Sequence, residues 1–405
     1  MAVLALLLAL PLRASEDPAA RALQTEVQRA SGRDVRISEA PLVTIVSDAP
    51  DEHVMGALQH VSKCVPQIFR LLQLPNDAPV PERLYIALLS EKAAFVRFLN
   101  ERRAGGLGSY TYVHGAQPER RVIAAYLLHP AAMRARLRHA VANALLHAWI
   151  AEPPPWLAEG LGEVLEDAEL DAQGNLVLGP ARGHVRDYRK RILEAQPSPY
   201  VPLKELVRLQ GSDWTAQPLL HYTEAWAFAR FLLTDARMRE AKVLPRIYRA
   251  LGPRATEAAN VAVAARVFLD DEWAPLEASL KAFVQGLPES PADEPYRQAL
   301  DKLGAGEEAA ALPLLDKALE LDPDYARLYY YRALASFRVK RFDPALIDLD
   351  AALERFPEYH AALFLRARCR AALGSTRLAE QDFEACLLTP YREQAQAELK
   401  ALKKE

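Results

Sequence analysis

The 405-residue sequence is poor in cysteine and in net charge, and both shortages exclude classes of protein. Its three cysteines, Cys64, Cys369 and Cys386, form no Cys-x-x-Cys pair. A disulfide framework is therefore excluded, although Cys369 and Cys386 fall in one predicted helix pair and a single bridge between them stays open. Otherwise we expect three small buried apolar side chains. The net charge of −3 argues against nucleic acid as the main partner.

Long hydrophobic runs are also missing. The apolar segment from Ala2 to Leu12 is too short for a membrane-spanning helix, which needs about 20 residues. Its length suits a secretory signal peptide over residues 1–14, cleaved near Ala14, although no Lys or Arg precedes it. We expect an exported chain, periplasmic or secreted, without an integral membrane segment. The alternative is a cytoplasmic chain with an apolar start.

Several nucleotide-binding and hydrolase motifs are absent. No Gly-rich phosphate loop and no Gly-x-Ser-x-Gly elbow occurs, and the clusters Gly105–Gly108 and Gly304–Gly306 are interpreted as turns. Most histidines show no metal-ligand spacing. The histidines interpreted in this way are His53, His60, His114, His129, His184, His221 and His360. No cofactor is expected from these patterns.

What the sequence does contain, beyond residue 291, is a repeat of 34 residues. Small residues recur in register, and Pro323 and Pro357 keep the same step. The recurring columns are Ala299, Ala333 and Ala367; Ala311, Ala345 and Ala379; and Ala318, Ala352 and Cys386. The pattern resembles the tetratricopeptide family, which predicts three helix pairs over 292–390 and a capping helix over 391–405. The turn glycine expected in the second repeat is Lys340.

The register also predicts a binding groove. Tyr296, Tyr330 and Phe364 occupy one position of each first helix, which by the resemblance faces the concave side. Arg327, Arg338 and Arg368 are expected to form a basic fringe. Such a surface favours a protein or peptide with apolar anchors and carboxylates. The alternative is that the rings only cover neighbouring helices.

The rest of the chain divides into blocks. Strand and helix signals mix over 40–130, and helical patterns dominate over 131–286. We interpret 40–286 as one domain, 15–39 as an N-terminal segment, and 287–291 as a linker in a proline-rich acidic stretch.

Residues 139–166 contain an incomplete metal motif. A His-Glu-x-x-His helix directs two histidines at one zinc ion, because residues four apart differ by only about 40° around the helix. Here the first histidine is His139, but Ala140 and Asn143 stand at the glutamate and second-histidine positions. A Trp-Leu-x-Glu-Gly-Leu element follows a proline-rich turn and contains Glu159.

These residues resemble the peptidase-MA-like gluzincin family, a zincin-fold group often fused to tetratricopeptide repeats in exported bacterial proteins. The resemblance implies an α+β zincin-like domain, mostly helical after a mixed N-terminal part, followed by the all-α solenoid. It implies His139 and Glu159 as zinc ligands, but no general base at Ala140 and no second histidine at Asn143. Zinc at His139 and Glu159 is therefore one interpretation, and a buried His–Glu hydrogen bond in its place is the other.

Two further carboxylates, Glu163 and Glu166, share the helix of Glu159, and Glu163 is expected to support a ligand or to be solvated. His147 lies about 12 Å along the helix axis from His139 and cannot replace the missing histidine. The sequence therefore predicts a non-catalytic, peptidase-like protein that acts through its repeats. The alternatives are a zinc-dependent metallopeptidase with an atypical ligand set, and a chain in which the first domain is only a spacer.

Overall fold

The computed structural model describes most of the chain. The described residues are 17–75, 78, 81–104, 110–113, 121–179, 184–194, 198–268, 271–357, 359–387 and 389–402. The signal peptide predicted over 1–14 lies outside them, so export stays a prediction. Within the described residues, no helix combines the length and apolar character needed to cross a membrane.

The N-terminal part is a mixed sheet covered by helices. In the described residues it has five strands in the order β1-β2-β3-β5-β4, with β2, β3 and β5 parallel and both edge strands antiparallel. The elements are α1 (Pro18–Ser31), β1 (Arg36–Ala40), β2 (Val43–Ser47), α2 (Asp51–Leu71), β3 (Leu84–Leu89), α3 (Lys92–Glu101), β4 (Tyr110–Val113) and β5 (Val122–Tyr126).

Residues 18–40, which precede the domain predicted over 40–286, pack on and pair with its sheet. The Asp17 carboxylate caps α1 by accepting hydrogen bonds from the backbone N–H groups of Ala19 and Ala20. Helix α1 buries Leu23 and Val27 against one face of the sheet, and β1 pairs with β2 along its whole length. The domain therefore includes residues 18–40. The partly exposed strand β1 has no continuous apolar run that the sequence analysis would detect.

The second part of the domain is helical, with one short hairpin. Its elements are α4 (Pro130–Trp149), α5 (Pro155–Glu166), β6 (Ala168–Leu170), β7 (Leu176–Leu178), α6 (His184–Asp187) with a π-helical turn (Tyr188–Leu193), α7 (Leu203–Leu206), α8 (Gly211–Thr215), α9 (Pro218–Thr234), α10 (Ala236–Glu240), α11 (Val243–Ala250), α12 (Glu257–Ala264) and α13 (Trp273–Gly286). Trp156 and Trp226 are fully buried in the core that joins these helices to the sheet.

The C-terminal part is a solenoid of helix pairs, as the 34-residue period predicts. The small residues at the helix crossings, Ala299, Ala311, Ala333 and Ala345 among them, are completely buried, so the paired helices approach closely. The prediction of tetratricopeptide-like repeats is confirmed. The helices are α14 (Asp293–Gly304), α15 (Glu308–Leu321), α16 (Ala326–Arg338), α17 (Phe342–Arg355), α18 (His360–Ala372), α19 (Thr376–Cys386) and α20 (Arg392–Leu402). Cys64, Cys369 and Cys386 are buried free thiols, so the possible bridge is not formed.

Repeated ion pairs connect successive repeats. Arg332 on α16 binds Asp348 on α17 through two hydrogen bonds of 2.6 and 2.9 Å, and Asp316 on α15 at 2.7 Å. The same arrangement recurs 34 residues later: Arg366 binds Asp382 at 2.8 and 2.9 Å and Asp350 at 2.7 Å. One arginine thus connects its own repeat to the preceding one.

The turns inside the repeats share one backbone geometry. Gly306, Lys340 and Gly374 all adopt the left-handed conformation, with φ of 74°, 59° and 73°. A Cβ atom at either glycine would meet no other atom within 4 Å, so conformation alone favours glycine there. The left-handed conformation strains the backbone at Lys340, whereas Gly306 and Gly374 adopt it without a steric cost.

The two parts of the molecule contact each other at the start of the solenoid. The Arg186 guanidinium lies 4.3 Å from the ring centre of Tyr296 and donates to the Tyr325 hydroxyl at 2.8 Å. The Arg136 guanidinium lies 5.6 Å from the ring centre of Phe356. Both arginines therefore attach the first domain to the first two repeats.

We predict that Lys340→Gly stabilises the protein by about 0.5–1 kcal/mol, because the relief of left-handed strain exceeds the added entropy of the unfolded chain. Gly374→Ala is the opposite substitution at the equivalent turn, and it should lower the free energy of unfolding by about 1 kcal/mol. Urea denaturation measures both. Equal stability of Lys340→Gly and wild type would contradict the strain at this turn.

We also predict that Arg332→Ala destabilises the solenoid by about 2 kcal/mol, since it leaves the buried Asp348 carboxylate without its bidentate partner. The figure is below that of a fully buried pair because solvent reaches Arg332. Arg377→Ala, at an exposed position, is the control and should change stability by less than about 0.5 kcal/mol. Identical denaturation curves for the two variants would show that the ion pairs contribute nothing.

Candidate functional site

Two glycines bring the site helices together. Helix α5 lies between α4 and α9, and a Cβ atom at Gly160 would overlap the backbone of Ala225 on α9. On the other side, a Cβ atom at Gly162 would overlap the imidazole of His139 on α4. Only glycine permits these approaches. The Glu-Gly-Leu-Gly sequence of α5 thus places three glutamates next to His139.

His139 is held by two carboxylates. It is 1% exposed, and its Nδ1 lies 2.8 Å from Oε1 of Glu166, whereas its Nε2 lies 3.4 Å from Oε2 of Glu159. Glu166 in turn accepts hydrogen bonds from Nη1 of Arg136 at 2.6 and 2.8 Å. His139 and Glu159 are therefore neighbours, as the gluzincin resemblance implies.

The charges of this cluster are strongly coupled. Burial lowers the pKa of His139, but the hydrogen bonds to Glu159 and Glu166 outweigh it and raise the pKa to about 10. Burial, together with the charge of Glu166, raises the pKa of Glu163 to about 8. Burial also opposes ionisation of Glu166, but Arg136 and His139 hold the pKa of that carboxyl well below its usual range. The two carboxylates therefore favour the protonated form of His139.

Ala140 and Asn143 do not complete a zincin ligand set. The Ala140 methyl group is fully buried in the domain core and offers no proton acceptor. The Oδ1 atom of Asn143 is buried without a hydrogen-bond partner in the described part of the chain, and an amide oxygen is a poor zinc ligand. His147 binds the carbonyl of Ala151 at the end of α4. The set His139, Asn143 and Glu159 therefore does not fit zinc.

Sequence reasoning missed part of the cluster. His184 shows no metal-ligand spacing in the sequence, yet its Nε2 lies 3.5 Å from Oε2 of Glu163, and its ring stacks on Trp226 with ring centres 4.8 Å apart. No sequence pattern indicates that Arg136 binds Glu166. The i, i+4 and i+7 spacing of Glu159, Glu163 and Glu166 was a usable signal, since it places all three on one face of α5. No local pattern pointed to His184, which reaches the site from another segment.

The predicted aromatic groove is only partly open. Tyr296 is 2% exposed and covered by Arg186, Tyr325 and Tyr331. Tyr330 is half-buried and contacts Tyr331 and Tyr359. Phe364 is half-buried and stacks on Tyr391 with ring centres 5.2 Å apart. The three rings do not form one continuous ladder, because the first domain occupies the first position.

The predicted basic fringe also makes contacts within the chain. Nη1 of Arg338 donates to the carbonyl of Leu303 at 3.0 Å, and the side chain is 44% exposed. Arg368 lies over the Phe337 ring and 3.3 Å from Glu398, and it is 45% exposed. Arg327 is half-buried on α16. Arg338 and Arg368 therefore keep exposed guanidinium surface beside Tyr330 and Phe364.

Comparison with known proteins finds partial similarity. No protein-family model matches the chain. Serine/threonine-protein phosphatase 5 from Homo sapiens and its Rattus norvegicus counterpart are each 34% identical over 93 residues, which are 23% of this chain and 19% of each relative. The chain thus spans about a fifth of the length of these curated relatives.

Solved structures with similarity to the chain include repeat domains. The first TPR of Spaghetti (RPAP3), bound to the HSP90 peptide SRMEEVD, is 28% identical, covers 28% of this chain and 93% of its own, and has a TM-score of 0.27. The second TPR domain of human RPAP3, in complex with the HSP70 peptide SGPTIEEVD, is 28% identical and has a TM-score of 0.27. The match covers 28% of this chain and 96% of that domain. The TPR2AB domain of yeast Sti1 is 14% identical and has a TM-score of 0.26, and the match covers 55% of this chain and 95% of that structure.

The raised pKa of His139 leads to a pH-dependence prediction. Between pH 6.5 and about 10 the folded state keeps a proton that the unfolded chain releases, so stability falls as pH rises through this window. Below pH 6.5 both states hold the proton and the contribution is complete. With chelator present, the stability difference between wild type and His139→Gln should shrink by about 4 kcal/mol between pH 6 and pH 10, at about 1.4 kcal/mol for each pH unit in the middle of the window.

Chemical denaturation at several pH values measures this difference. His147→Gln, near the end of the same helix, is the control. The difference in stability between this variant and wild type should stay constant with pH. A difference between wild type and His139→Gln that stays constant from pH 6 to pH 10 would show that His139 is neutral in the folded protein.

Proposed function

We propose that this chain is a non-catalytic, peptidase-like protein whose repeats bind a protein or peptide segment. The observation that carries the proposal is the partly exposed face that α16 and α18 share, beyond the end of the solenoid that the first domain covers. This groove face, as we call it, comprises Arg327, Tyr330, Tyr331, Leu334 and Arg338 on α16, and Ala361, Phe364, Arg368 and Ala371 on α18.

The chemistry of the groove face defines its ligand. Tyr330 and Phe364 offer half-buried ring surface that a ligand would cover, and covering aromatic area is the largest source of binding energy at such sites. Arg338 and Arg368 flank the rings with exposed guanidinium groups that pair with carboxylates. A peptide with apolar anchors and acidic side chains, or a free C-terminus, matches both properties.

For the first domain we propose a zincin-like, gluzincin-derived fold without peptidase activity. The convergence of His139 and Glu159 on paired helices beside a mixed sheet supports the fold. We expect no hydrolysis, because the general-base position is Ala140 and an attacking water would lack the carboxylate that accepts its proton in such sites. The carboxylates around His139 favour the alternative, a zinc-dependent metallopeptidase with an atypical ligand set, but they do not replace that base.

The binding proposal is tested with the full-length protein and short peptides selected from a random displayed library. Sequencing should show that the selected peptides carry apolar and acidic residues, and fluorescence polarisation measures their affinity for the protein. Tyr330→Ala combined with Arg368→Ala should weaken their binding at least about tenfold, a loss of about 1.4 kcal/mol.

Arg377→Ala, at an exposed position on the second helix of the third repeat, is the matched control and should bind as wild type. Circular dichroism verifies that each variant is folded. Equal peptide affinity in the folded double variant and the control would exclude the groove face as the binding site.

A further inference from the structure

Arg186 of the first domain lies in a pocket that the first repeat of the solenoid forms. Its guanidinium group lies 4.3 Å from the ring centre of Tyr296 and donates a hydrogen bond of 2.8 Å to the Tyr325 hydroxyl. Nη1 also lies 3.6 Å from Oδ1 of Asp293. The two tyrosine rings are perpendicular, with centres 6.0 Å apart. A ring face, a hydroxyl acceptor and a carboxylate are together the groups that recognise a guanidinium group.

The pocket is built by the repeat itself. Tyr296 and Asp293 are only 2% and 6% exposed. Oδ2 of Asp293 accepts a hydrogen bond of 2.9 Å from the backbone N–H of Ser290, which holds the carboxylate while its other oxygen faces Arg186. A buried carboxylate without a cation is costly, so the pocket keeps an affinity for positive charge when Arg186 leaves it.

The 34-residue register shows that only the first repeat has this charge. In the second repeat the equivalent tyrosines are Tyr330 and Tyr359, whose ring centres lie 4.8 Å apart. The position equivalent to Asp293, however, is Arg327 in the second repeat and Ala361 in the third. An arginine there repels a second guanidinium group, and an alanine offers it no acceptor. The acidic pocket is therefore specific to the leading end of the groove.

The contact that fills the pocket can open without unfolding either part of the molecule. Among the described residues, the apolar clusters of the first domain end at Leu287 and those of the solenoid begin at Ala292, so the two parts share no apolar core. Contacts across the junction include cation–π pairs and a hydrogen bond of 3.4 Å from the His129 N–H to the carbonyl of Glu354. Interfaces of this polar kind allow domains to move relative to each other.

We propose that Asp293, Tyr296 and Tyr325 form a guanidinium pocket that Arg186 fills as an intramolecular ligand, and that an arginine of a bound peptide replaces it. The proposal rests on the proposed function, peptide binding by the repeats, for the source of the arginine. A matching peptide has an arginine at one end and acidic residues beyond it, toward the basic part of the groove face. Release of Arg186 costs part of the binding energy, so this contact is autoinhibitory.

The pocket is tested with full-length protein and N-ethylguanidinium, which has the head group of an arginine side chain, by calorimetric titration. Arg186→Ala should bind this probe at least about tenfold more tightly than wild type, whose pocket is filled. N-ethylurea, which has a similar shape and no charge, should bind to neither.

Two further substitutions in the Arg186→Ala background locate the probe. Asp293→Asn should weaken its binding at least about tenfold, because it removes the charge that pairs with the guanidinium group. Asp301→Asn, at an exposed position on the same helix, is the matched control and should leave probe binding unchanged. Circular dichroism verifies folding. Arg186→Lys, which keeps the charge and lacks the planar fork, should give an intermediate affinity and replaces Arg186→Ala if that variant is unfolded.

The source of the arginine is tested with peptides selected from a random displayed library on the folded Arg186→Ala protein. The selected peptides should carry an arginine to one side of their acidic residues. They should bind wild type at least about tenfold more weakly, because Arg186 competes for the pocket. Replacement of the peptide arginine with leucine should remove this difference between the two proteins.

Two results would overturn the proposal. One is N-ethylguanidinium binding to folded Arg186→Ala that is no stronger than binding to wild type, or that N-ethylurea reproduces. The other is a set of selected peptides whose affinity does not depend on an arginine. Peptides that bind without this dependence, but are lost on Tyr330→Ala with Arg368→Ala, would leave the groove face intact and exclude the pocket. Probe binding without any peptide binding would instead contradict the proposed function and leave the pocket without a peptide ligand.

Discussion

The ion pair between Arg136 and Glu166 connects the cluster around His139 to the junction between the two parts of the molecule. Burial opposes ionisation of Glu166, and the Arg136 guanidinium at 2.6 Å favours it. The Glu166 carboxylate in turn orients the ring of His139. The same guanidinium lies over Phe356 at the end of the second repeat. One arginine therefore determines both the geometry of the cluster and part of the contact between the two halves.

The sequence predicted the features that depend on local order. The 34-residue period determines which small residues face each other, so the repeats followed from the recurring positions of small residues and proline. The resemblance of residues 139–166 to the gluzincin motif likewise implied that His139 and Glu159 would be neighbours. Both cases need only the geometry of one helix or one helix pair.

The remaining features depend on segments far apart in the chain. His184 meets Glu163 only because α6 packs beside α5, and Arg186 covers Tyr296 only because the halves are in contact. Strand β1 joins the sheet through backbone pairing with β2, which its mixed side chains do not reveal. Periodicity contains no information about such contacts, since they are determined by tertiary packing.

The cover over Tyr296 has a consequence for how this protein evolves and how it is dissected. Helical solenoids usually lengthen or shorten by gain or loss of repeat units, provided that a polar cap closes each end. Here the leading end is closed by a neighbouring globular domain through Arg186, and the trailing end by α20. A unit inserted before residue 292 would have to rebuild that junction. A fragment that begins there would expose a large aromatic ring, so the solenoid is not a transferable module.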